Sequence, residues 1–196
     1  MSTETLNGKS FLDMVRSGAA VLDANRKTVN DLNVFPIPDG DTGDNMEMTI
    51  RSGCDAASDS ESIGTVASEI ARGMLMGARG NSGVILSRIF AGISKGLEGL
   101  DEASVAQLSA AFGKGVEESY SAVSVPVEGT ILTVWREGVA ASEGAADMKA
   151  YFAALIPAMK TSLDNTPELL AVLKEAGVVD SGGAGMLCIA EGSCVE

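Results

Sequence analysis

Between Asn33 and Met46 the chain reads NVFPIPDGDTGDNM. Asp39, Asp41 and Asp44 crowd this stretch, in a chain whose formal net charge is already -13. Like charges so close together repel unless a cation sits among them. A single glycine separates Asp39 from Asp41, so a tight turn can aim both carboxylates at one point. Hard oxygen donors without Cys or His favour Mg²⁺, Mn²⁺ or Ca²⁺ over zinc or copper. An EF-hand fails on register: with Asp39 at position one, Gly43 falls at position five and Ile50 stands where the bidentate glutamate belongs. Mg²⁺ is usually held by one or two carboxylates and completed by phosphate oxygens. The alternative is a solvated acidic turn that caps a helix.

The glycines favour phosphate. DGDTGDN precedes a helical stretch from Met46 to Ala57, and GARGNSG precedes one from Val84 to Leu97. VPVEGT precedes the helix around Trp135, and VVDSGGAG precedes the apolar stretch Met186 to Ala190. Small residues before a helix expose backbone N–H groups at the positive end of the helix dipole, which suits an anion. One such loop is an ordinary turn; four in a small helical domain, one carrying clustered carboxylates, point to a phosphorylated ligand and a metal. The chain has no GxxxxGK[ST] run and no HRD or DFG pair, so metal ions must supply the charge that a Walker lysine supplies elsewhere.

Other chemistries are excluded by composition. There is no histidine, which removes Ser-His-Asp and Cys-His catalysis. Cys54, Cys188 and Cys194 form no CxxC pattern, so zinc sites and disulfide frameworks are poorly supported and buried, reduced thiols are expected. Lys and Arg number 14 against 27 Asp and Glu, a surface that repels phosphate backbones and anionic lipid. The polar start MSTETLNGKS has no signal-peptide character and no apolar run reaches spanning length, so no nucleic-acid partner and no membrane insertion are expected, and a cytoplasmic location is.

These residues must be positioned by helices. With 45% hydrophobic but only 4% aromatic residues, the core is built from small side chains suited to close helix packing. Apolar residues recur at helical spacing along Phe11–Val29, Ile63–Met74, Ile85–Ile93 and Val105–Val123. Ser10 with Asp13 makes a capping pair for the first of these. TILTVWREGVAA begins β-branched, but Ile131, Val134, Trp135, Gly138 and Ala141 keep helical spacing. Pro157 is expected to kink the helix of DMKAYFAALIPAMKTSL. Thr166 reads as the N-cap of a further helix with Pro167 at its first position, closing on Gly177. No strand alternation of useful length appears. The expectation is an all-α domain over residues 1–196, of about eight amphipathic helices.

NVFPIPDGDTGDNM, GARGNSGVILS, VPVEGTILTV and VVDSGGAGM together resemble the Dak-type kinase domain. It occurs as the nucleotide-binding subunit of dihydroxyacetone kinases and as the N-terminal domain of bacterial fatty acid kinases. The NVFPxPDGDTG and VVDSGGAG forms point to the fatty-acid-kinase branch. The resemblance implies a barrel of antiparallel helices with ADP or ATP and two Mg²⁺ ions at one end. By position, Asp39 and Asp41 match the family's metal-binding aspartates and are the candidate catalytic pair, and Asn33 lies near the place of a further ligand. Thr42, Gly43 and Asn45 match the phosphate-contacting turn, and Asn81 and Ser82 match the second phosphate loop. Thr130 and Ile131 fall in the segment lining the nucleotide, and Asp180, Ser181 and Gly182 match the last nucleotide loop. The family usually has Thr where this chain has Asp44, which can join the metal shell, face water or, as expected here, cap the helix beginning at Met46.

The resemblance implies Mg-ATP-dependent transfer of phosphate to a fatty acid presented by a separate DegV-like lipid-binding protein. Two alternatives stay open: an ADP-binding subunit of a dihydroxyacetone (glycerone) kinase, or a non-enzymatic nucleotide-binding module. Kinases of this type continue well beyond such a domain, so the chain is either a piece of a longer protein or a stand-alone domain. Homodimerisation is left open.

Overall fold

The structure, a computed structural model, describes residues 5–194. It contains, among those residues, nine helices and one short ribbon. The ribbon joins β1 (Thr5–Asn7) to β2 (Glu102–Ser104) in antiparallel register, Leu6 opposite Ala103. The domain is all-α as expected, with this small ribbon beside the helices. Three residues on each side, with only Leu6 and Ala103 buried, are too few to show alternation in sequence.

The helices are α1 (Gly8–Asp31), α2 (Thr42–Ala56), α3 (Ile63–Gly77), α4 (Gly80–Leu97), α5 (Val105–Ser121), α6 (Ile131–Ser142), α7 (Met148–Leu169), α8 (Ala171–Ala176) and α9 (Ser181–Gly192). From α1 to α7 each helix packs on the next, and α9 returns to lie against α1, α2, α6 and α7. The β-branched start of α6 is helical, as its spacing indicates, because Ile131, Leu132, Val134 and Trp135 are all buried. Leu22, Met46, Ile50, Met74, Leu86 and Leu97 are sealed from solvent, each worth about 1.5–3 kcal/mol relative to exposure. Phe112 anchors an aromatic cluster, 5.1 Å from Trp135 and 5.7 Å from Tyr151 between ring centroids, which joins α5, α6 and α7. No helix among the described residues is long and apolar enough to cross a membrane.

Small residues set the helix spacing, as the composition indicates. At the crossing of α1 and α9, a Cβ added to Gly18 would lie 2.6 Å from the Ile189 carbonyl oxygen, and one added to Gly192 would lie 2.7 Å from Gly18 Cα. Only a pair of glycines allows this approach.

Two helix boundaries differ from expectation. α1 is capped by Asn7, whose side chain accepts from the Ser10 N–H at 3.0 Å, because the ribbon delivers the chain to the helix three residues before Ser10. Ser10 and Asp13 therefore lie inside α1 rather than capping it. α7 runs through both Pro157 and Pro167. Pro167 has no N–H for the carbonyl of Leu163, four residues back. The buried Thr166 hydroxyl donates to that carbonyl at 2.7 Å and accepts from the Asp180 N–H at 3.1 Å. Thr166 is thus no N-cap; it repairs the helix at the proline and ties it to the start of α9. α8 closes on Gly177 in the left-handed conformation (φ 68°), as read from sequence.

Thr166→Val keeps the volume but leaves the Leu163 carbonyl and the Asp180 N–H buried without this partner. It is expected to lower unfolding free energy by about 1–3 kcal/mol, measured by urea titration. A loss under about 0.5 kcal/mol would show that the hydroxyl does not repair the helix.

Candidate functional site

The acidic loop is organised from the end of α1. Asn33, 8% exposed, accepts at Oδ1 from the N–H groups of Gly40 (2.9 Å) and Asp41 (3.3 Å). Its Nδ2 donates to the carbonyls of Ile37 (3.1 Å) and Phe35 (3.4 Å). The Phe35–Pro36 bond is cis. Asn33 braces the loop, with both ends of its amide engaged by backbone, and it lines the same cleft as Asp39 and Asp41.

α2 begins at Thr42, four residues before the expected start at Met46, so Thr42, Gly43, Asp44 and Asn45 form its first turn. Such residues have weak helix propensity, and an unpatterned first turn is invisible to periodicity. Asp44 does not cap the helix. It faces Arg26 of α1, with Oδ1 3.3 Å from Nε. Both partners are half exposed, so the pair is worth at most about 1 kcal/mol. It nevertheless removes the third aspartate from the cluster. Gly43 packs into α1, where a Cβ would collide with the Arg26 carbonyl oxygen, and it does not line the cleft.

Asp39 and Asp41 open instead onto a cleft of about 650 Å³. Four helices begin around it. Thr42 and Asn45 come from the start of α2, Asn81 and Ser82 from α4, Thr130 and Ile131 from α6, and Asp180, Ser181 and Gly182 from α9. Every candidate site residue except Gly43 therefore meets at one place.

The four N-termini are not equivalent. At α6 the Thr130 hydroxyl accepts from the Leu132 N–H at 3.4 Å and donates to the Val127 carbonyl at 2.8 Å. At α9 the Asp180 side chain accepts from the Gly183 N–H at 2.7 Å. At α2 the caps come from Asn30 of α1, which accepts from the Gly43 (2.7 Å) and Asp44 (3.2 Å) N–H groups. α4 begins at Gly80, not Val84, and Arg79 at its N-cap position supplies no side-chain cap. Ser82 is accordingly inside the first turn and is not an N-cap. The α4 terminus is pinned through Thr49, whose hydroxyl donates to the Asn45 carbonyl at 2.7 Å and accepts from the Arg79 N–H at 3.1 Å. With small residues and no N-cap side chain over it, this terminus is the one best suited to an anion.

At the floor of the cleft the Ser181 hydroxyl donates to that of Thr42 at 3.1 Å, linking α9 to α2. Asp180, 5% exposed, has its carboxyl pushed up to about 6 by burial, against the N–H groups of Gly183 and Ile131, which favour the charged form. The cleft also has apolar lining from Phe35, Pro36, Val84, Val123 and Val125, which suits a planar ring more than a phosphate.

Residues that sequence reasoning missed brace the loop before α6. Glu128 accepts from Thr133 Oγ1 (2.6 Å), Tyr120 Oη (3.0 Å) and the Arg136 guanidinium (3.0 Å). Burial pushes its carboxyl up, but the Thr133 and Tyr120 hydroxyls and Arg136 outweigh that and hold it below the usual range. Burial, with Glu128 alongside, raises the Tyr120 hydroxyl to about 12. The glutamate in VPVEGT was the signal available.

Known proteins share sequence and fold with this chain. The DAK2 domain family matches residues 36–194. The chain belongs to the DAK2 domain family. It is 48% identical to Protein YloV of Bacillus subtilis over 198 residues, covering 98% of this chain and 36% of that protein. It is 52% identical to an uncharacterized protein of Staphylococcus epidermidis over 193 residues, covering 95% of this chain and 35% of that one. This DAK2 domain thus spans about a third of the length of these relatives. Its fold matches the crystal structure of the dihydroxyacetone kinase from C. freundii in complex with AMP-PNP and Mg²⁺, with TM-score 0.72 and 17% identity over 92% of this chain and 32% of that one.

The donor set of this DAK2 domain suits Mg²⁺. Among the described residues no three Asp, Glu, Cys or His side chains converge on one point. A divalent ion held by Asp39 and Asp41 would take its remaining oxygens from water and phosphate, the usual arrangement for Mg²⁺.

Asp180 gives a pH signature. Its folded value of about 6 lies above the ordinary 3.8, so the folded state binds more protons between those values and stability falls as pH rises through them. Asp180→Asn removes this contribution. The stability of the variant minus that of the wild type should rise from pH 4 to about pH 6 and flatten above, read by urea titration across that range. A pH-independent difference would contradict the raised value.

Proposed function

We propose that this domain binds Mg-ATP and transfers the γ-phosphoryl group to an acceptor carried by a separate protein, as the ATP-binding part of a fatty acid kinase. The observation that carries this reading is the meeting of Asp39 and Asp41 with the N-termini of four helices around one cleft. The similarity to a dihydroxyacetone kinase whose structure contains AMP-PNP and Mg²⁺ supports the nucleotide and the metal. The fatty acid acceptor, and a DegV-like lipid-binding protein to present it, rest on the NVFPIPDGDTG and VVDSGGAG motifs. The chain has no histidine, so the proposed cytosolic phosphoryl transfer passes through no phosphohistidine on this chain.

Asp39 and Asp41 would hold Mg²⁺, which neutralises phosphate charge when bound. The remaining work belongs to the chain. The first turn of α4, with Asn81 and Ser82, receives phosphate oxygens on backbone N–H groups and a hydroxyl. Thr42 and Asn45 approach from α2, and the apolar lining of Val84, Val123 and Val125 orients the base. Positioning and charge stabilisation, with no covalent intermediate on the chain, are the sources of catalysis expected for this chemistry.

Asp39→Ala or Asp41→Ala should abolish magnesium-dependent ADP binding in calorimetry while the circular dichroism spectrum stays helical. Tight, magnesium-dependent binding by either variant would sink the metal assignment. Ser82 is not a cap, so Ser82→Ala should leave the ligand-free melting temperature nearly unchanged and weaken Mg-ADP binding roughly tenfold, the worth of one hydrogen bond to a charged group. Unchanged affinity would take Ser82 out of the phosphate site. Multiple turnover of ATP only when a fatty-acid-loaded DegV-like protein is added would support the acceptor; turnover indifferent to that protein would refute it.

A further inference from the structure

We infer that Asn30, which lies outside the cleft, frees the Asp41 carboxylate for the metal by capping α2 in its place. The inference rests on the reading of Asp39 and Asp41 as magnesium ligands. An aspartate at a helix N-cap normally folds back and accepts from the N–H groups two and three residues on. Two other aspartates of this chain do so: Asp180 accepts from the Gly183 N–H at 2.7 Å, and Asp147 accepts from the Ala150 N–H at 2.8 Å. Asp41 holds the same position at α2 and makes no such bond. The two N–H groups it would take, those of Gly43 and Asp44, donate instead to Asn30 Oδ1 at 2.7 and 3.2 Å.

The substitution of one cap for another has a structural cause. Gly43 lets α2 approach the last turns of α1 so closely that any side chain there would strike the Arg26 carbonyl, and this brings the Asn30 amide over the open end of α2. Asn33 then holds the Asp41 N–H from the other side, at 3.3 Å. With its backbone held and its usual partners already satisfied, Asp41 is left lining the cleft, as Asp39 does. Asn30 is a positioning residue: it touches neither metal nor nucleotide.

The test is a cycle of Asn30→Ala, Asp41→Ala and the double variant. Without magnesium and nucleotide, each single variant should keep most of the wild-type melting temperature, because the other residue can still cap α2. The double variant should lose about 2–4 °C more than the sum of the two, the loss of one cap in a domain of this size. Additive losses would overturn the exchange of caps. In Mg-ADP calorimetry Asn30→Ala should bind at least tenfold more weakly, as Asp41 turns back onto Gly43 and Asp44, and Asn30→Asp, which keeps the acceptor oxygen, should restore most of the affinity. Wild-type affinity in Asn30→Ala would overturn the inference. Failure of the wild-type chain itself to bind Mg-ADP would overturn the metal reading instead, while the ligand-free melts would still decide which residue caps α2.

Discussion

The cleft depends on how closely α9 can lie against α1. Gly18 and Gly192 meet where any side chain would strike backbone, and this contact sets α9 in place beside α1 and α2. Once α9 is there, its N-terminus stands next to that of α2, and the Ser181 and Thr42 hydroxyls can bond across the gap. The alternating course of the helices then brings the starts of α4 and α6 to the same end. A spacing fixed by two hydrogen atoms at one crossing is therefore felt at every wall of the site.

The proposed function asks an acidic chain to bind an anion, which poses an electrostatic difficulty. Fourteen basic residues serve 27 acidic ones. Arg26 is paired with Asp44, and Arg136 with Glu128. No lysine or arginine other than these is needed to explain the site. Positive potential comes from helix N-termini, each worth roughly 0.3–1 kcal/mol toward a nearby anion, and a metal ion would supply the rest. On the proposed function, this division accounts for acidic and glycine-bearing segments sharing one cleft: the carboxylates would recruit the cation, and the glycines would let a phosphate come close to backbone.

Polar groups buried around the cleft act as its joints. Thr166 satisfies a carbonyl orphaned by Pro167 and holds the N–H of Asp180, so the end of α7 and the start of α9 cannot move independently. Asp180 in turn accepts from Gly183 at the cost of being ionised away from water. Glu128 gathers Tyr120, Thr133 and Arg136 under the loop before α6. Each joint connects two elements that are distant in sequence or separated by a loop, and each leaves few options for the backbone it holds.

By itself the sequence determined the helical class, because apolar residues at a spacing of three and four leave one face to bury on every long segment. It also pointed to the candidate site: Asp39 and Asp41 across a glycine, and four loops of small residues, are patterns legible locally, although only packing brings them to one cleft. It could not show where weakly patterned first turns begin, since Thr42–Asn45 and Gly80–Gly83 become helical only when packing holds them. Nor could it show the roles of Asp44, Asn33, Thr166 and Asn30, whose hydrogen-bonding atoms are compatible with several partners until the chain folds. The tertiary structure decided those, because a polar side chain takes the role of whichever unsatisfied group the packing brings within about 3 Å.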